Sequence, residues 1–490
     1  MFGLSALAMA ADAVWTEPWS DPLAEALARG ARDEARPVLL GDGEIAPWEL
    51  VERLGEDEPD ARLEVGLATE LRRGAWQPSW TVRPHASIAV GDAVPDNAGG
   101  ATEPGWLTTR ARVDGALYSG PFVLLASPEG EVGFAGTDAG EVRMQTLWGG
   151  AALHGWAVGF GRQARWYGPG RHGALLWSAN ARPPWMGGIS GEGRLPGVLG
   201  GAGVFRIETS VGWLDQPRGD VARPGLLLVD LRWMPIPLLE LGATRMSIFG
   251  GEGRPRPDVG QLLLPTEPHV EDDPDHLLAD QDELAALDLR LNLPLERWSG
   301  VPIQHVELWW QYGGEDVIGR QLGPVPYPSL AGVGNLYGGE IEVAPITVTV
   351  EYTRLMDDYF RWYVGHRVYH DGFTQAGRPL GHFGGPDSET FWAAVAWEGG
   401  RGRARIWADR VWRVGVIEAL EDHVFTLTQD ERGTRVGLDA GWSFTGATQA
   451  TLSASWEGVD GEDFVPGATG AHFRACVGVE HVFAGAAGRR

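Results

Sequence analysis

Three stretches of the chain concentrate side chains that could do chemistry. "RWYGPGRHGALLWSANARPPW" (165–185) sets Trp166 and Trp185 around Gly168-Pro169 and interleaves Arg165, Arg171, Asn180 and Arg182. Flat aromatic faces beside guanidinium and amide donors suit a sugar or acidic polysaccharide, which offers C–H faces together with hydroxyl or carboxylate groups. "YGGEDVIGRQLG" (312–323) places Glu315 and Asp316 directly after a run of alternating residues. "YVGHRVYHDGFTQAGRPLGHFGGPDSETF" (363–391) gathers His366, His370, Asp371, Arg378, His382, Asp387 and Ser388.

The same residues allow other chemistries. The third stretch holds the raw material of a Ser-His-Asp hydrolase, but no G-x-S-x-G turn surrounds Ser388. Glu315 and Asp316 are adjacent, so on a strand they point to opposite faces and make a poor acid/base couple for glycoside hydrolysis. His366 and His370 are read as hydrogen-bonding residues rather than metal ligands. The acid-rich segment 252–283 lacks EF-hand spacing. Cys476 is the single cysteine, which rules out an intrachain disulfide and a Cys-based metal site. The expectation is a non-catalytic binding protein with no cofactor and no metal.

The elements that must position these stretches show a period of two after Trp80. In "GVFRIETSVGW", Phe205, Ile207, Thr209, Val211 and Trp213 share one face, and Arg206, Glu208 and Ser210 the other. Leu287, Leu289, Leu291 and Leu293 oppose Asp288, Arg290 and Asn292; Ile346, Val348 and Val350 oppose Thr347, Thr349 and Glu351. A soluble antiparallel sheet with one wet face would produce this pattern. So would a transmembrane barrel, with strands of ~9–11 residues, apolar outside and polar inside. Charged residues recurring at one phase over most of the chain favour the barrel. So do Trp213, Trp233, Trp298 and Trp412, which fall at strand ends where an interface belt would hold them. Long segments such as 252–283 and 323–339 contrast with short turns such as 398–403, the rim asymmetry of outer-membrane barrels. An open porin would share the alternation, whereas long loops carrying Trp and Arg favour an occluded lumen.

Upstream, residues 20–74 read as helices: Asp21 caps a segment that starts at Pro22 and stops at Gly30, and Leu63, Leu67 and Leu71 lie four apart. "MFGLSALAMAADAV" matches the apolar part and small-residue cleavage pattern of a secretory leader. The 490 residues include 23 Trp and 71 Gly, and no apolar run is long enough for a helical membrane span. A net charge of −26 argues against nucleic acid, which needs a basic footprint.

Taken in order, the three stretches resemble the capsule assembly Wzi family of outer-membrane proteins. The first carries the resemblance at Trp166, Gly168, Pro169, Ser178, Asn180, Ala181 and Pro183, and the second at Gly314, Glu315 and Asp316. The third carries it at His366, Tyr369, Gly372, Phe373, Gly377, Arg378, Gly381, His382, Asp387 and Ser388. The N-terminal "PWSDPLAEALARGA" also looks like that family's opening helical segment. The resemblance implies an all-β fold, an antiparallel transmembrane β-barrel of about 18 strands, with a small N-terminal helical bundle. It implies lectin-like binding of capsular or other extracellular polysaccharide at the cell surface. The corresponding divisions are 1–13 as a leader remnant, 14–78 as a periplasmic helical segment, 79–483 as the barrel and 484–490 as a tail. Arg165, Trp166, Arg171, Asn180, Arg182, Trp185, Arg378 and His382 are the expected polysaccharide contacts. Gly168, Pro169, Ser178, Ala181, Glu315, Asp316, His366, Tyr369, Gly372 and Asp387 are expected to hold the motif's shape. Further expected partners are outer-membrane lipid, lipopolysaccharide and the barrel-insertion machinery, with the chain a monomer.

Overall fold

The computed structural model describes residues 79–486, apart from 94–105, 120–121, 135–139, 154–155, 197–201, 237, 256, 258–280, 294, 296–301, 323–324, 357–360, 420–424 and 446. The expected leader remnant and helices at 20–74 lie outside the described residues.

The wall begins with β1 (Ser79–Gly91), β2 (Leu107–Ser119), β3 (Phe122–Phe134), β4 (Gly140–Leu153), β5 (Trp156–Arg162) and β6 (Trp185–Pro196). It continues through β7 (Ala202–Trp213), β8 (Gly225–Ile236), β9 (Leu239–Phe249), β10 (Gln281–Leu293) and β11 (His305–Gly314). A separate hairpin, β12 (Asp316–Leu322) and β13 (Val325–Ala331), precedes β14 (Gly334–Val343) and β15 (Ile346–Arg354). A two-residue ladder, β16 (Thr374–Gln375) and β17 (Arg378–Pro379), precedes β18 (Ser388–Gly399) and β19 (Gly402–Ala419). The last segments are β20 (Phe425–Thr445), β21 (Thr448–Asp460), β22 (Thr469–His481) and β23 (Phe483–Ala486).

Every wall strand pairs antiparallel with its neighbour, and the sheet closes on itself. β22 meets β1 from His85↔Glu480 to Gly91↔Arg474, and β23 carries the same seam on from Val82↔Phe483 to Ser79↔Ala486. Counting β22 and β23 as one interrupted strand gives a closed barrel of 18 strands. Pairing thus runs three residues beyond Phe483, the expected end of the barrel, to Ala486. One rim has two-residue connections at 120–121, 154–155, 237–238, 344–345, 400–401 and 446–447; the other carries 163–184, 250–280 and 355–387.

The phase of each strand follows from its solvent. Val211, Leu231, Leu287, Leu308, Val350 and Val395 lie exposed on the outer face, while Arg206, Asp230, Asp288, Glu307 and Glu351 point inward and are buried. Exposed apolar side chains over a whole surface fit hydrocarbon, not water, and strand closure leaves little backbone unpaired there. Aromatic residues ring both ends of this band: Trp80, Phe122, Trp156, Trp442 and Phe483 at the short-turn rim, Trp106, Phe134, Trp213 and Phe473 at the other. Trp298 lies outside the described residues.

The main apolar core is inside the barrel. Leu226, Leu228, Met246, Ile248, Leu284 and Leu336 project inward and meet Tyr167, Leu175, Trp177, Trp362, Tyr363 and Phe373 from two inserted loops.

Candidate functional site

The first insert leaves the wall at Arg162, crosses the lumen as residues 163–184 and rejoins it at Trp185. Glu351 on β15 anchors its turn. Its carboxylate accepts the backbone N–H of Arg171 at 2.7 Å, of His172 at 3.3 Å and of Gly173 at 2.8 Å, and the indole N–H of Trp309 at 3.3 Å. Gln311 on β11 works on the next stretch: its Oε1 accepts from Leu175 N at 2.8 Å, and its Nε2 donates to Tyr167 O at 3.3 Å. Gly168 sits at φ 143°, and a Cβ there would lie 2.7 Å from the Gln311 amide, so both backbone shape and space demand glycine. Pro169 O accepts from Arg290 at 3.4 Å.

The second insert, 361–387, pairs with the first. Ser178 Oγ donates to Gly381 O at 2.6 Å, Ser178 N donates to Leu380 O at 2.7 Å, and Asn180 Nδ2 donates to Pro379 O at 3.1 Å. The Tyr363 hydroxyl donates to Leu175 O and accepts from His382 N at 2.9 Å. A third loop, 214–224, ties down the far side. Arg218 donates to Thr374 O at 3.0 Å and Gly372 O at 2.9 Å, and Asp220 accepts from Asp371 N at 2.9 Å. Burial opposes ionisation of Asp220, but bonds from Arg218 and two backbone N–H groups outweigh it and lower its pKa.

The expected contact residues do not share one surface. Arg165 is buried and bonds Glu208, Tyr167 and Ser210. Asn180 and His382 are buried between the two inserts, so these three residues serve the plug's interior rather than an exposed ligand face. Trp166, Arg171, Arg182, Trp185 and Arg378 keep partial exposure, at separate points. Arg171 lies over the Trp309 ring and donates to Glu307 at 2.8 Å. Arg182 approaches Glu141 at 3.8 Å, and Trp185 stacks on Phe160 in the wall. Arg378 is on β17.

The shape-holding residues are accounted for more simply. Ala181 and Tyr369 are in the core, and Tyr369 donates to Gly250 O at 3.0 Å. His366 Nδ1 accepts from the backbone N–H of Val368 and Tyr369, at 3.2 and 3.3 Å. Gly372 adopts φ 50° against the Tyr363 carbonyl. Glu315 is half-buried where β11 ends, and Asp316 opens β12 opposite Ala331.

The raw material for a triad is not assembled as one. Ser388 Oγ donates to Gly385 O at 2.8 Å, and Asp387 accepts from Arg361 at 2.6 Å. His382 Nδ1 accepts from Gly384 N at 3.1 Å. Burial, reinforced by the Arg435 guanidinium, holds the His382 pKa well below the ordinary histidine range and keeps the ring neutral. Among the described residues, no group of three His, Cys, Asp or Glu side chains could hold a metal ion.

Glu307, Gln311, Glu351 and Asp409 carry much of the plug's attachment, Asp409 through His172 at 3.3 Å. Glu307, Gln311 and Glu351 sit at the inward phase in the sequence, which is the signal that marks them as lumenal. Nothing in their spacing names the loop groups they accept from, the Arg171 guanidinium for Glu307 and backbone N–H groups for Gln311 and Glu351.

The chain matches the family description "Capsule assembly protein Wzi" over residues 96–471. Among solved structures it is similar to Wzi of Escherichia coli, described as an outer-membrane protein involved in group 1 capsule assembly and a carbohydrate-binding β-barrel. That match has a TM-score of 0.65 at 16% identity and covers 94% of this chain and 98% of the other. OprD of Pseudomonas aeruginosa aligns with a TM-score of 0.48 at 10% identity, over 83% of this chain and 95% of its own. OccAB2 of Acinetobacter baumannii gives 0.46 at 10%, over 83% and 98%. No curated protein sequence matches the chain. A family match over most of the length, on a closed lipid-facing barrel whose lumen is packed by the shared stretches, means that this chain belongs to the capsule assembly Wzi family of outer-membrane proteins.

Proposed function

We propose that this barrel binds and anchors capsular or other extracellular polysaccharide at the outer face of the outer membrane, by lectin-like contacts and without catalysis. The observation that carries the reading is the plug. Two family stretches are bonded to each other and to the inner wall, which fills part of the lumen with a packed core rather than a water path. A barrel built this way offers its rim and loop surfaces to a ligand. Trp166, Arg171, Arg182, Trp185 and Arg378 are the contacts with surface to offer, while Arg165, Asn180 and His382 act beneath them by fixing the loop backbone. Residues 14–78 form the periplasmic helical segment in this reading, residues 1–13 the end of a leader, and the barrel works as a monomer. Lipid and lipopolysaccharide surround the apolar band, and the barrel-insertion machinery places it there.

Deleting the gene and measuring polysaccharide released into the medium tests this directly. Increased shedding with unchanged synthesis is the expected result; unchanged cell-surface retention would sink the reading. Planar-bilayer recordings separate it from a porin, since the plugged barrel should give no stable open-pore current.

A further inference from the structure

The wall steps down between β4 and β5. β3 pairs with β4 from Gly140 to Ala151, but β5 pairs with it only from Leu147 to Leu153. At Arg162 the chain has already turned into the lumen. Residues 140–146 therefore keep an edge with no partner strand among the described residues, roughly 20 Å long at ~3.3 Å per residue. Such edges are ordinarily covered. Val142, on the outward face of this edge, is 86% exposed.

Three guanidinium groups converge beside this edge. Arg143 is satisfied by Glu129 at 2.5 Å and Glu131 at 3.1 Å. Arg162 pairs with Asp215 and lies over the Trp185 ring, whose stacking with Phe160 holds it in place. Arg182 differs. It makes no hydrogen bond among the described residues, and its nearest carboxylate, Glu141, stands 3.8 Å away and 41% exposed; its Nε, like that of Arg162, is buried without a partner. On β4 itself, Gln145 Oε1 and Thr146 Oγ1 are likewise buried with nothing to bond. Buried polar atoms are almost always satisfied, so a cluster that is not points to something that satisfies it.

We propose that this notch between β4 and the first insert grips a carboxylated sugar unit, a uronic acid, of the anchored polysaccharide, with Arg182 taking the carboxylate. The inference rests on the anchoring function proposed above and assigns it a place. A planar guanidinium pairs a carboxylate through two parallel bonds, and the neighbouring amide oxygen and hydroxyl suit sugar hydroxyls. Arg143 and Arg162 are hydrogen-bonded to their own carboxylates, so Arg182, held only by the long ion pair to Glu141, is the one guanidinium of the three with its hydrogen bonds still to give. That matches a singly charged carboxylate better than a lipid phosphate, which draws several unneutralised cations.

The test is calorimetric titration of the full-length barrel in detergent with oligogalacturonate and with its methyl-esterified, uncharged counterpart. The acid form should bind, weaken with salt and exceed the ester by about tenfold or more. Arg182→Gln should lose that preference, and Arg182→Lys should recover only part of it, with both variants keeping the heat-modifiable mobility of a folded barrel. Equal binding of acid and ester, no binding of the acid, full binding by Arg182→Gln, or displacement by inorganic phosphate would each overturn the assignment. Cells carrying Arg182→Gln separate the two levels. Wild-type retention in that strain, with shedding in the deletion strain, rejects the notch and leaves the anchoring function standing; no shedding in the deletion strain rejects the anchoring function itself.

Discussion

The outer wall and the lumenal plug are built from the same strands but obey different rules. On the outer face a position needs only to be apolar: Leu287, Leu308, Val350 and Val395 lie exposed on the lipid-facing surface. Inside, identity matters atom by atom. Glu351 accepts three consecutive backbone N–H groups, Gln311 faces both a donor and an acceptor, and Ser178 donates to one carbonyl while accepting from Asn180 N at 3.2 Å. A hydrocarbon neighbour is tolerant because dispersion and exclusion of water are not directional. A loop backbone inside a barrel must have its polar groups matched, because water there is scarce. The wall therefore reads as a pattern, and the plug as a set of particular residues.

The strongest way to break the comparison is at Glu351. Glu351→Ala should leave three N–H groups of the 171–173 turn without an acceptor, at about 1–3 kcal/mol each. The barrel should remain folded while the insert loosens, so bilayer recordings should change from silent to flickering current. A silent, protease-resistant variant would mean that the plug does not depend on this anchor. Next in size is a charge on the tolerant side. Leu287→Arg, at the middle of β10, should cost about 2–4 kcal/mol in a lipid bilayer, whereas Leu287→Val should cost well under 1 kcal/mol on a surface that asks only for an apolar group. Equal unfolding midpoints for the two variants would show that Leu287 does not face hydrocarbon. Smaller again is Ser178→Ala, which removes the bond to Gly381 O and should cost about 1–2 kcal/mol. Faster proteolysis at 361–387, with the wall unchanged, is the readout.

How much of this was legible follows from the same division. Alternation from Trp80 onward placed Arg206, Glu208, Asp288, Glu307 and Glu351 inside, and the burial of each agrees. The inserts were harder. "RWYGPGRHGALLWSANARPPW" has the composition of a ligand surface, but Arg165 and Asn180 use their donors on the protein itself. Composition cannot distinguish the two uses, because a buried loop and a sugar both need donors and flat apolar faces. One signal did point to the plug. Leu226, Leu227 and Leu228 interrupt the alternation, and all three are buried. A strand segment apolar on both faces is covered on both, so the lumen beside β8 had to contain something greasy. The notch at β4 has no signature in the sequence, since a missing partner strand is a matter of where β5 stops.

The finest probe of the plug is pH, through His382. Its ring is buried, stacks on Phe383 at 4.5 Å between ring centres, and lies so close to Gly173 that a Cβ there would be 2.0 Å from it. Burial and nearby cationic groups depress its pKa in the folded plug, so the folded form resists a proton that the released loop accepts near pH 6.5. Between that value and the depressed pKa of the packed form the released state binds more protons than the packed one, and linkage requires the packed state to weaken as pH falls through that range. Above about pH 7 the group is neutral in both states and contributes no slope. Below about pH 6 the plug should lose roughly 1 kcal/mol per pH unit until His382 itself titrates. Insert proteolysis followed from pH 7.5 to 5 should therefore accelerate in the wild type and stay flatter in His382→Phe. A variant as pH-sensitive as the wild type would move the effect to another group, since the wall's outward face carries nothing at Leu287, Leu308 or Val350 that could take up a proton.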